Sequence, residues 1–322
     1  MSEPNLQELL DFSIALARKA GAMINAGSEK RLREQTRIDT KLNTADLVTE
    51  TDQAVERLIM EAIQAKYPTH KFIGEETYSA GQKDELTDEP TWVLDPIDGT
   101  VNFTRALFPF TCVSIGFVSK KQPVLGVIYG PRLDQLFYGV AGQGSYLQSP
   151  QFDQPQRLPL TAPLPLPSLR QAILALEWGS LRDRETMTKK LTFFERLAGD
   201  GEGGVETGQM VQAIRSNGSA ALNFCLVAAG TLDAYHEIGT WAWDVCAGIV
   251  IAREAGAVVI GAKSELSDID RPDFFDTLRP GVLEGRKYLV VRQIADTPEE
   301  KGRDAQIRTI RAIYDALDEW EP

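Results

Sequence analysis

Apolar residues recur every three or four positions in the first part of the chain, and this spacing predicts two amphipathic helices. One covers residues 6–24, and the other carries apolar residues at 55–63 on one face and stops near Pro68. Between residues 110 and 147 the pattern changes to short apolar runs, FTCVSIGFVS, PVLGVIYG and QLFYGVAG, separated by KKQ and PRLD. Such runs predict an antiparallel meander of strands.

The later part of the chain alternates between strand-like and helix-like segments. The predicted strands are QAILALEWG, LDAYHEI and AVVIG, and the predicted helices are TMTKKLTFFERLAG, GSAALNFCLVAAG and WDVCAGIVIAREAG. A charged amphipathic helix is predicted within 298–320, and a proline-rich stretch at 149–168 separates the two patterns. We therefore predict an α/β (α+β) fold with an N-terminal α+β half, 1–160, holding the meander and the metal-site loops. The C-terminal half, 161–322, is α/β with partly parallel strands, and the halves are fused into one compact unit.

Composition narrows the class of protein. The 322 residues are 43% hydrophobic and 25% charged, which is typical of a globular protein that stays in water. A formal charge of −12 disfavours nucleic acid and anionic membrane partners, and no apolar stretch is long enough to span a bilayer. The N-terminus lacks the pattern of a signal peptide, so we expect a cytoplasmic protein. Its three cysteines, Cys112, Cys225 and Cys246, are then expected to be buried free thiols.

Two aspartates stand in the segment WVLDPIDGTVNF, at Asp95 and Asp98. The run before them predicts a strand, and Pro96 predicts a stiff turn that begins at Asp95. Carboxylate and carbonyl oxygens in one turn suit a hard cation such as Mg²⁺. Gly99 and Thr100 are expected to begin a short helix whose N–H groups favour a phosphate oxygen. The alternative, a surface turn with a helix-capping Asp, stays open on this segment alone.

Further carboxylates follow apolar runs elsewhere in the chain. Glu75 and Glu76 follow a predicted strand, and Asp244 is expected in the first turn of a helix. Carboxylates among apolar neighbours are costly unless they are paired, hydrogen-bonded or bound to metal. Asp46 and Asp52 in ADLVTETD add to this set, although helix capping is a competing interpretation there.

The segments IGEET, WVLDPIDGTVNF and WDVCAG resemble the inositol monophosphatase family of metal-dependent phosphatases, and IRSNGSAALNFCLVAAGTLDAYHE follows the family order and spacing. The resemblance covers about residues 5–260. It implies a layered α/β/α/β/α sandwich, a homodimer, and hydrolysis of small phosphate monoesters with two or three Mg²⁺ ions. It also implies inhibition by lithium.

The resemblance further implies a complete set of site residues. The implied metal ligands are Glu75, Asp95, the carbonyl of Ile97, Asp98 and Asp244. The implied catalytic residues are Thr100, Asp52 and Glu75. The implied substrate contacts are Asp98, Gly99, Thr100, Gly218, Ser219, Ala220 and Glu237. Lys41 and Asp46 match positions near the catalytic loop.

Inositol monophosphate is the expected substrate, because the Glu237 carboxylate can accept hydrogen bonds from a polyol. A sister phosphatase for a nucleotide bisphosphate, a sugar bisphosphate or histidinol phosphate is the enzymatic alternative. A non-catalytic regulatory protein on the same fold is the other. Two weaker signals have simpler interpretations: GQGSYL at Gly142 predicts a hairpin turn rather than a dinucleotide site, and His236 predicts a satisfied strand-end histidine rather than a metal ligand.

Overall fold

The computed structural model describes residues 4–33, 38–43, 47–82, 84–106 and 108–322, which form both helices and strands. The helices are α1 (Leu6–Arg33), α2 (Glu50–Lys66), α3 (Glu75–Ser79), α4 (Thr100–Phe103), α5 (Arg184–Ala198), α6 (Ala220–Ala228), α7 (Ala242–Glu254) and α8 (Gly302–Ala316). The strands are β1 (Ile38–Thr40), β2 (Leu47–Thr49), β3 (Lys71–Gly74), β4 (Thr91–Asp98), β5 (Cys112–Ser119), β6 (Gln122–Gly130), β7 (Gln135–Val140), β8 (Gly144–Gln148), β9 (Gln156–Arg157), β10 (Ile173–Leu176), β11 (Ala213–Arg215), β12 (Ala234–Ile238), β13 (Val258–Ile260) and β14 (Lys287–Val291).

The chain divides into two compact units that are not two contiguous halves. The first unit consists of Met1–Arg157, Gly218–Cys225 and Ala242–Glu254, and the second consists of Leu158–Asn217, Leu226–Trp241 and Ala255–Pro322. The predicted halves, 1–160 and 161–322, differ from these units, because Gly218–Cys225 and Ala242–Glu254 belong to the first unit.

None of the helices described for this chain has the length and apolar character needed to cross a membrane.

A mixed sheet with the strand order β3-β4-β5-β6-β7-β8-β9 forms the centre of the first unit. β3 and β4 are parallel, and the later neighbours are antiparallel. The predicted meander is thus confirmed as β5 to β8. The hairpin predicted at Gly142 is confirmed between β7 and β8, where Gly142 and Gly144 have positive φ angles of 75° and 85°. The Glu254 carboxylate accepts hydrogen bonds from both of their N–H groups, at 2.8 and 2.7 Å.

Helices cover both faces of this sheet. Ile115 of β5 and Val127 of β6 belong to an apolar cluster with buried residues of α1 and α2. Gly116 and Gly126 alternate with them and face α7 on the opposite side, because successive side chains of a strand point to opposite faces. A Cβ atom at Gly126 would lie 2.2 Å from the carbonyl oxygen of Ala247. The backbone of α7 therefore packs directly against the glycine.

β4 differs from the prediction and brings the acidic segment into the sheet. The turn predicted to begin at Asp95 is wrong, because β4 continues to Asp98 and is fully buried. Its pairing with β5 shifts between Asp95 and Asp98. Pro96 has no N–H to donate to a regular ladder, and an irregularity of this kind accommodates it within a strand. The short helix predicted at Thr100 is confirmed as α4.

The second unit has its own sheet, with the strand order β11-β10-β12-β14-β13. β10 is parallel to β11 and β12, whereas β14 is antiparallel to β12 and β13, so the predicted partly parallel pairing is confirmed. The predicted C-terminal helix is α8, which contributes Ile310, Ile313 and Tyr314 to the apolar core of this unit. β14 was not among the predicted strands.

Candidate active site

Asp95 lies in β4 with a carboxyl group that is almost fully buried, at 2% exposure. Its Oδ1 accepts a hydrogen bond from the N–H of Ile97 at 2.9 Å, which fixes the side chain against its own strand. Burial raises the pKa of Asp95 well above its usual range, and the charges of Glu75, Asp98 and Asp244 raise it further. The charges of Glu75, Asp98 and Asp244 are therefore near enough to Asp95 to disfavour its ionisation.

Asp98 ends β4 and is held by the segment that precedes and begins α6. Its Oδ2 accepts hydrogen bonds from Ser219 Oγ at 2.6 Å and from the N–H of Ala221 at 2.7 Å, and Cys112 Sγ lies 3.8 Å away. Burial raises the pKa of Asp98 to about 6, while the bonds from Ser219 and Ala221 oppose that rise. These hydrogen bonds thus fix the direction of the Asp98 carboxyl group and stabilise its ionised form.

Asp52 and Thr100 meet through their side chains. Asp52 lies in the first turn of α2, where its Oδ2 accepts hydrogen bonds from the N–H of Thr49 at 3.0 Å and from the Thr49 hydroxyl. Its Oδ1 lies 3.1 Å from Thr100 Oγ1, which also lies 2.9 Å from the carbonyl oxygen of Ile97. The single hydroxyl proton of Thr100 can therefore be directed to either acceptor. Burial raises the pKa of Asp52 to about 6.

Glu75 and Glu76 begin α3, and both contact Lys41. Lys41 Nζ lies 2.7 Å from Glu75 Oε1 and 2.8 Å from Glu76 Oε1. Burial would lower the pKa of Lys41, but the two carboxylates raise it by more, so the ammonium stays charged. The pKa of Glu76 rises to about 7, first because of burial and then because of the Glu75 charge. This ion pair supplies the positive charge next to Glu75.

Asp244 lies in the first turn of α7 and shares a hydrogen bond with the side chain of Asp95. A bond between two carboxyl groups requires a proton on one of them. No group of three or more His, Cys, Asp or Glu side chains in the described part of the chain is arranged to hold a metal ion as it stands. However, carboxylate and carbonyl oxygens are the donors that Mg²⁺ prefers. By donor chemistry, the carboxyl groups around Asp95 suit a hard divalent cation that would take the place of this shared proton.

Gly99 and Gly218 allow two backbone segments to approach each other. Gly99 has a φ of 85°, and a Cβ atom there would lie 2.6 Å from the carbonyl oxygen of Phe110 and 3.1 Å from that of Gly218. Asn102 Nδ2 donates to both of these carbonyl oxygens, at 2.7 and 3.2 Å. The start of α4 is thereby joined to Gly218, Ser219 and Ala220, which lead into α6.

Glu237 belongs to the second unit and lies in β12 with 8% exposure. Its Oε2 accepts a hydrogen bond from the hydroxyl group of Tyr235. It lines a pocket of about 130 Å³ together with Trp178, Lys190, Arg215, His236 and Trp320. His236 is buried and lies edge-on to Phe193, with ring centroids 5.0 Å apart, as expected for a histidine within the core.

The first unit brings together most of the residues that the sequence indicated. Direct contacts join Thr100 with Asp52 and with the carbonyl of Ile97, and Asp98 with Ser219, while the pKa of Asp95 is raised first by burial and further by the charges of Glu75, Asp98 and Asp244. The position of Asp46 lies outside the described residues. Sequence patterns missed Glu56, a buried carboxylate of α2 that contacts the backbone of α3. The available signal was its place on the apolar face of α2, three residues before Ile59 and seven before Ile63.

A mixed α/β fold with buried carboxylates at a strand end is typical of metal-dependent phosphate chemistry. The chain matches the Inositol monophosphatase family over residues 5–311. It is 42% identical to Protein qutG of Emericella nidulans over 97% of this chain and 94% of that protein. It is 40% identical to Inositol monophosphatase 1 of Bos taurus over 81% of this chain and 85% of that protein.

A solved structure supports the same assignment. The inositol monophosphatase from Anabaena sp. PCC 7120 aligns with a TM-score of 0.69 and 27% identity, covering 97% of each chain. The predicted α/β sandwich class is thereby confirmed. The chain belongs to the inositol monophosphatase family, a family of phosphatases that act on small phosphate esters.

Proposed function

We propose that this protein hydrolyses inositol monophosphate to inositol and phosphate, with Mg²⁺ as its cofactor. The observation that carries the proposal is the carboxyl group of Asp95, which is buried, shares a hydrogen bond with Asp244 and is subject to the charges of Glu75 and Asp98. Like charges in a buried site are unfavourable unless a cation neutralises them. We propose Glu75, Asp95, Asp98, Asp244 and the carbonyl of Ile97 as the ligands of two or three ions.

Thr100 and Asp52 are the residues that we propose move the proton of the attacking water. When bound, Mg²⁺ supplies positive charge that offsets the phosphate dianion and favours ionisation of water. The Thr100 hydroxyl can accept the water proton as it passes its own to Asp52, whose Oδ1 lies 3.1 Å away. Because burial raises the pKa of Asp52 to about 6, this carboxylate is a stronger base than an exposed aspartate. Glu75 is proposed as a further catalytic residue.

Asp98, Gly99, Ser219 and Ala220 are proposed to orient the substrate. The Asp98 carboxylate is held by Ser219 Oγ at 2.6 Å, so its direction is fixed before a ligand arrives. Gly99 and Thr100 are proposed to offer backbone N–H groups to phosphate oxygens, and Gly218 keeps the neighbouring segment close.

Glu237 is proposed to accept hydrogen bonds from hydroxyl groups of the inositol ring. The hydroxyl of Tyr235 donates to Oε2 and holds the carboxylate in place. A carboxylate has about four lone-pair sites, so it can accept several hydrogen bonds, including those from hydroxyl groups of a ligand. An aryl phosphate offers no hydroxyl groups of this kind, so the two substrates separate ring recognition from phosphate chemistry.

A second candidate is a sister phosphatase with a different small substrate, such as a sugar bisphosphate. The observation that favours it is the share of this chain that each relative matches. The match to Protein qutG covers 97% of this chain, whereas the match to Inositol monophosphatase 1 of Bos taurus covers 81%. A regulatory protein without turnover is the remaining alternative, and it is disfavoured by the retained carboxylates.

The decisive experiment measures phosphate release by EDTA-treated protein over a panel of phosphate esters, with and without added Mg²⁺. We expect Mg²⁺-dependent release, fastest from inositol monophosphate. If phosphate is released fastest from another ester, that ester replaces inositol monophosphate as the proposed substrate. No release from any ester would support the regulatory alternative. The proposal also includes inhibition by lithium, a homodimer and a cytoplasmic location, which lithium titration, light scattering and cell fractionation test in turn.

A further inference from the structure

Glu56 is a carboxylate buried in α2, at 4% exposure, that holds the backbone at the start of α3. Its Oε2 accepts a hydrogen bond from the N–H of Glu76 at 2.8 Å. Its Oε1 accepts one from the N–H of Thr77 at 2.7 Å and another from the Thr77 hydroxyl. Three donors thus compensate a charge that would otherwise be costly to bury.

The same carboxylate also lies against the residue before Glu75. A Cβ atom at Gly74 would lie 2.6 Å from Glu56 Oε2. Gly74 has a φ of −124°, which any residue can adopt, so the glycine supplies space here rather than conformational freedom. Glu56 therefore contacts the chain on both sides of Glu75, at Gly74 and at Glu76.

We propose that Glu56 is a positioning residue that fixes the backbone of Glu75 and thereby sets the affinity of the site for a divalent cation. The inference rests on the proposed function, in which Glu75 is a metal ligand. A ligand whose backbone is held from both sides loses less conformational freedom when it binds an ion. Residues that orient metal ligands in this way typically change metal affinity by about 10–100-fold when they are replaced.

Glu56→Gln tests the proposal because it keeps the size of the side chain. The N–H groups of Glu76 and Thr77 bond to different oxygens of Glu56, and glutamine places an NH₂ group at one of these two positions, so one bond is lost in this geometry. We expect the dissociation constant for Mg²⁺, measured by calorimetry on EDTA-treated protein without substrate, to rise about 10–100-fold. In kinetic assays, the Mg²⁺ concentration for half-maximal rate should rise, while kcat at saturating Mg²⁺ and the KM for substrate change little.

Two further variants provide the controls. Glu61→Gln makes the same change at an exposed position of the same helix and should leave Mg²⁺ affinity unchanged. Thr77→Ala removes one of the three donors and should weaken Mg²⁺ binding in the same direction by less. It also replaces Glu56→Gln as the test if that variant does not fold.

The outcomes separate this inference from the proposed function. Wild-type Mg²⁺ affinity in a folded Glu56→Gln protein, or a lower Tm with unchanged affinity, would show that Glu56 only supports α3. If Glu56→Gln does not fold, unchanged Mg²⁺ affinity in Thr77→Ala overturns the proposal. If the wild-type protein binds Mg²⁺ and releases phosphate, these results leave the proposed function intact. If the wild-type protein binds no divalent cation, both proposals fail.

Discussion

Replacing Asp52 with asparagine removes the carboxylate that lies 3.1 Å from Thr100 Oγ1 and leaves a side chain of nearly the same size. Asparagine has no comparable affinity for a proton, so Thr100 loses the acceptor that we propose for its hydroxyl proton. We expect kcat to fall by about 10²–10⁴, the usual contribution of general acid–base catalysis. Mg²⁺ affinity should change little, because Asp52 is not among the proposed ligands.

The pH dependence of the wild-type protein gives a second magnitude. Burial raises the pKa of Asp52 from 3.8 to about 6, so the carboxylate is ionised at pH 7.5 and protonated below 6. We therefore expect kcat to fall about tenfold for each pH unit below the pKa of Asp52. The folded protein also holds this proton more tightly than the unfolded chain does. Asp52 consequently contributes stability that is present below pH 3.8 and is lost as the pH rises to about 6, amounting to roughly 3 kcal/mol.

Initial rates of phosphate release between about pH 5 and 9, at saturating Mg²⁺ and substrate, measure both effects. The acidic fall in kcat should be present in the wild-type protein and absent from Asp52→Asn. Asp11→Asn, an exposed change of the same kind, should keep the wild-type profile. The reasoning is refuted if Asp52→Asn keeps an acidic fall with the same midpoint, because another group would then be responsible for it.

Three further predictions address the metal site, the substrate and the core. Asp95→Asn should abolish turnover while circular dichroism and Tm show an intact fold, and near-normal rates at saturating Mg²⁺ would remove Asp95 from the proposed ligands. Glu237→Gln should lower kcat/KM for inositol monophosphate by about 1.5–3 kcal/mol but hardly change it for an aryl phosphate, and equal losses would exclude a role in ring recognition. Burial lowers the pKa of His236 from 6.5 to about 3, so the stability contributed by its neutral form is lost as the pH falls through that window. Relative to His236→Phe, the wild-type free energy of unfolding in urea should fall by about 2 kcal/mol from pH 7.5 to 5, and no relative change would contradict the shift.

Most helices and strands could be predicted from the sequence because they depend on local pattern, and the candidate acidic residues could be picked out in the same way. Asp95, Asp98 and Thr100 stand within six residues at the end of an apolar run, and their type and order could be interpreted without a fold. Contacts between distant segments could not. The bond from Ser219 to Asp98, across more than a hundred residues, depends on tertiary packing that no periodicity records.

Two further features, the position of Pro96 within β4 and the contacts of Lys41, also depend on tertiary packing rather than on local pattern. The sequence predicted a turn at Asp95 because Pro96 fixes φ and lacks an N–H, yet pairing with β5 includes Pro96 in β4. Lys41 stood in a polar stretch without a pattern of its own, and its contacts with Glu75 and Glu76 arise only because the chain brings its segment beside α3.

The place of α7 in the first unit has a consequence for synthesis of the protein. The β5–β6 face that contains Gly116 and Gly126 is covered by α7, which the ribosome produces more than a hundred residues after that face. Until Ala247 has emerged, this apolar surface is exposed and invites aggregation. Packing of α7 onto strands so distant in the sequence is also slow, because a long loop must close first. The nascent chain therefore depends on late covering of its sheet by α7, and Asp244, carried by the same helix, joins Asp95 at that step.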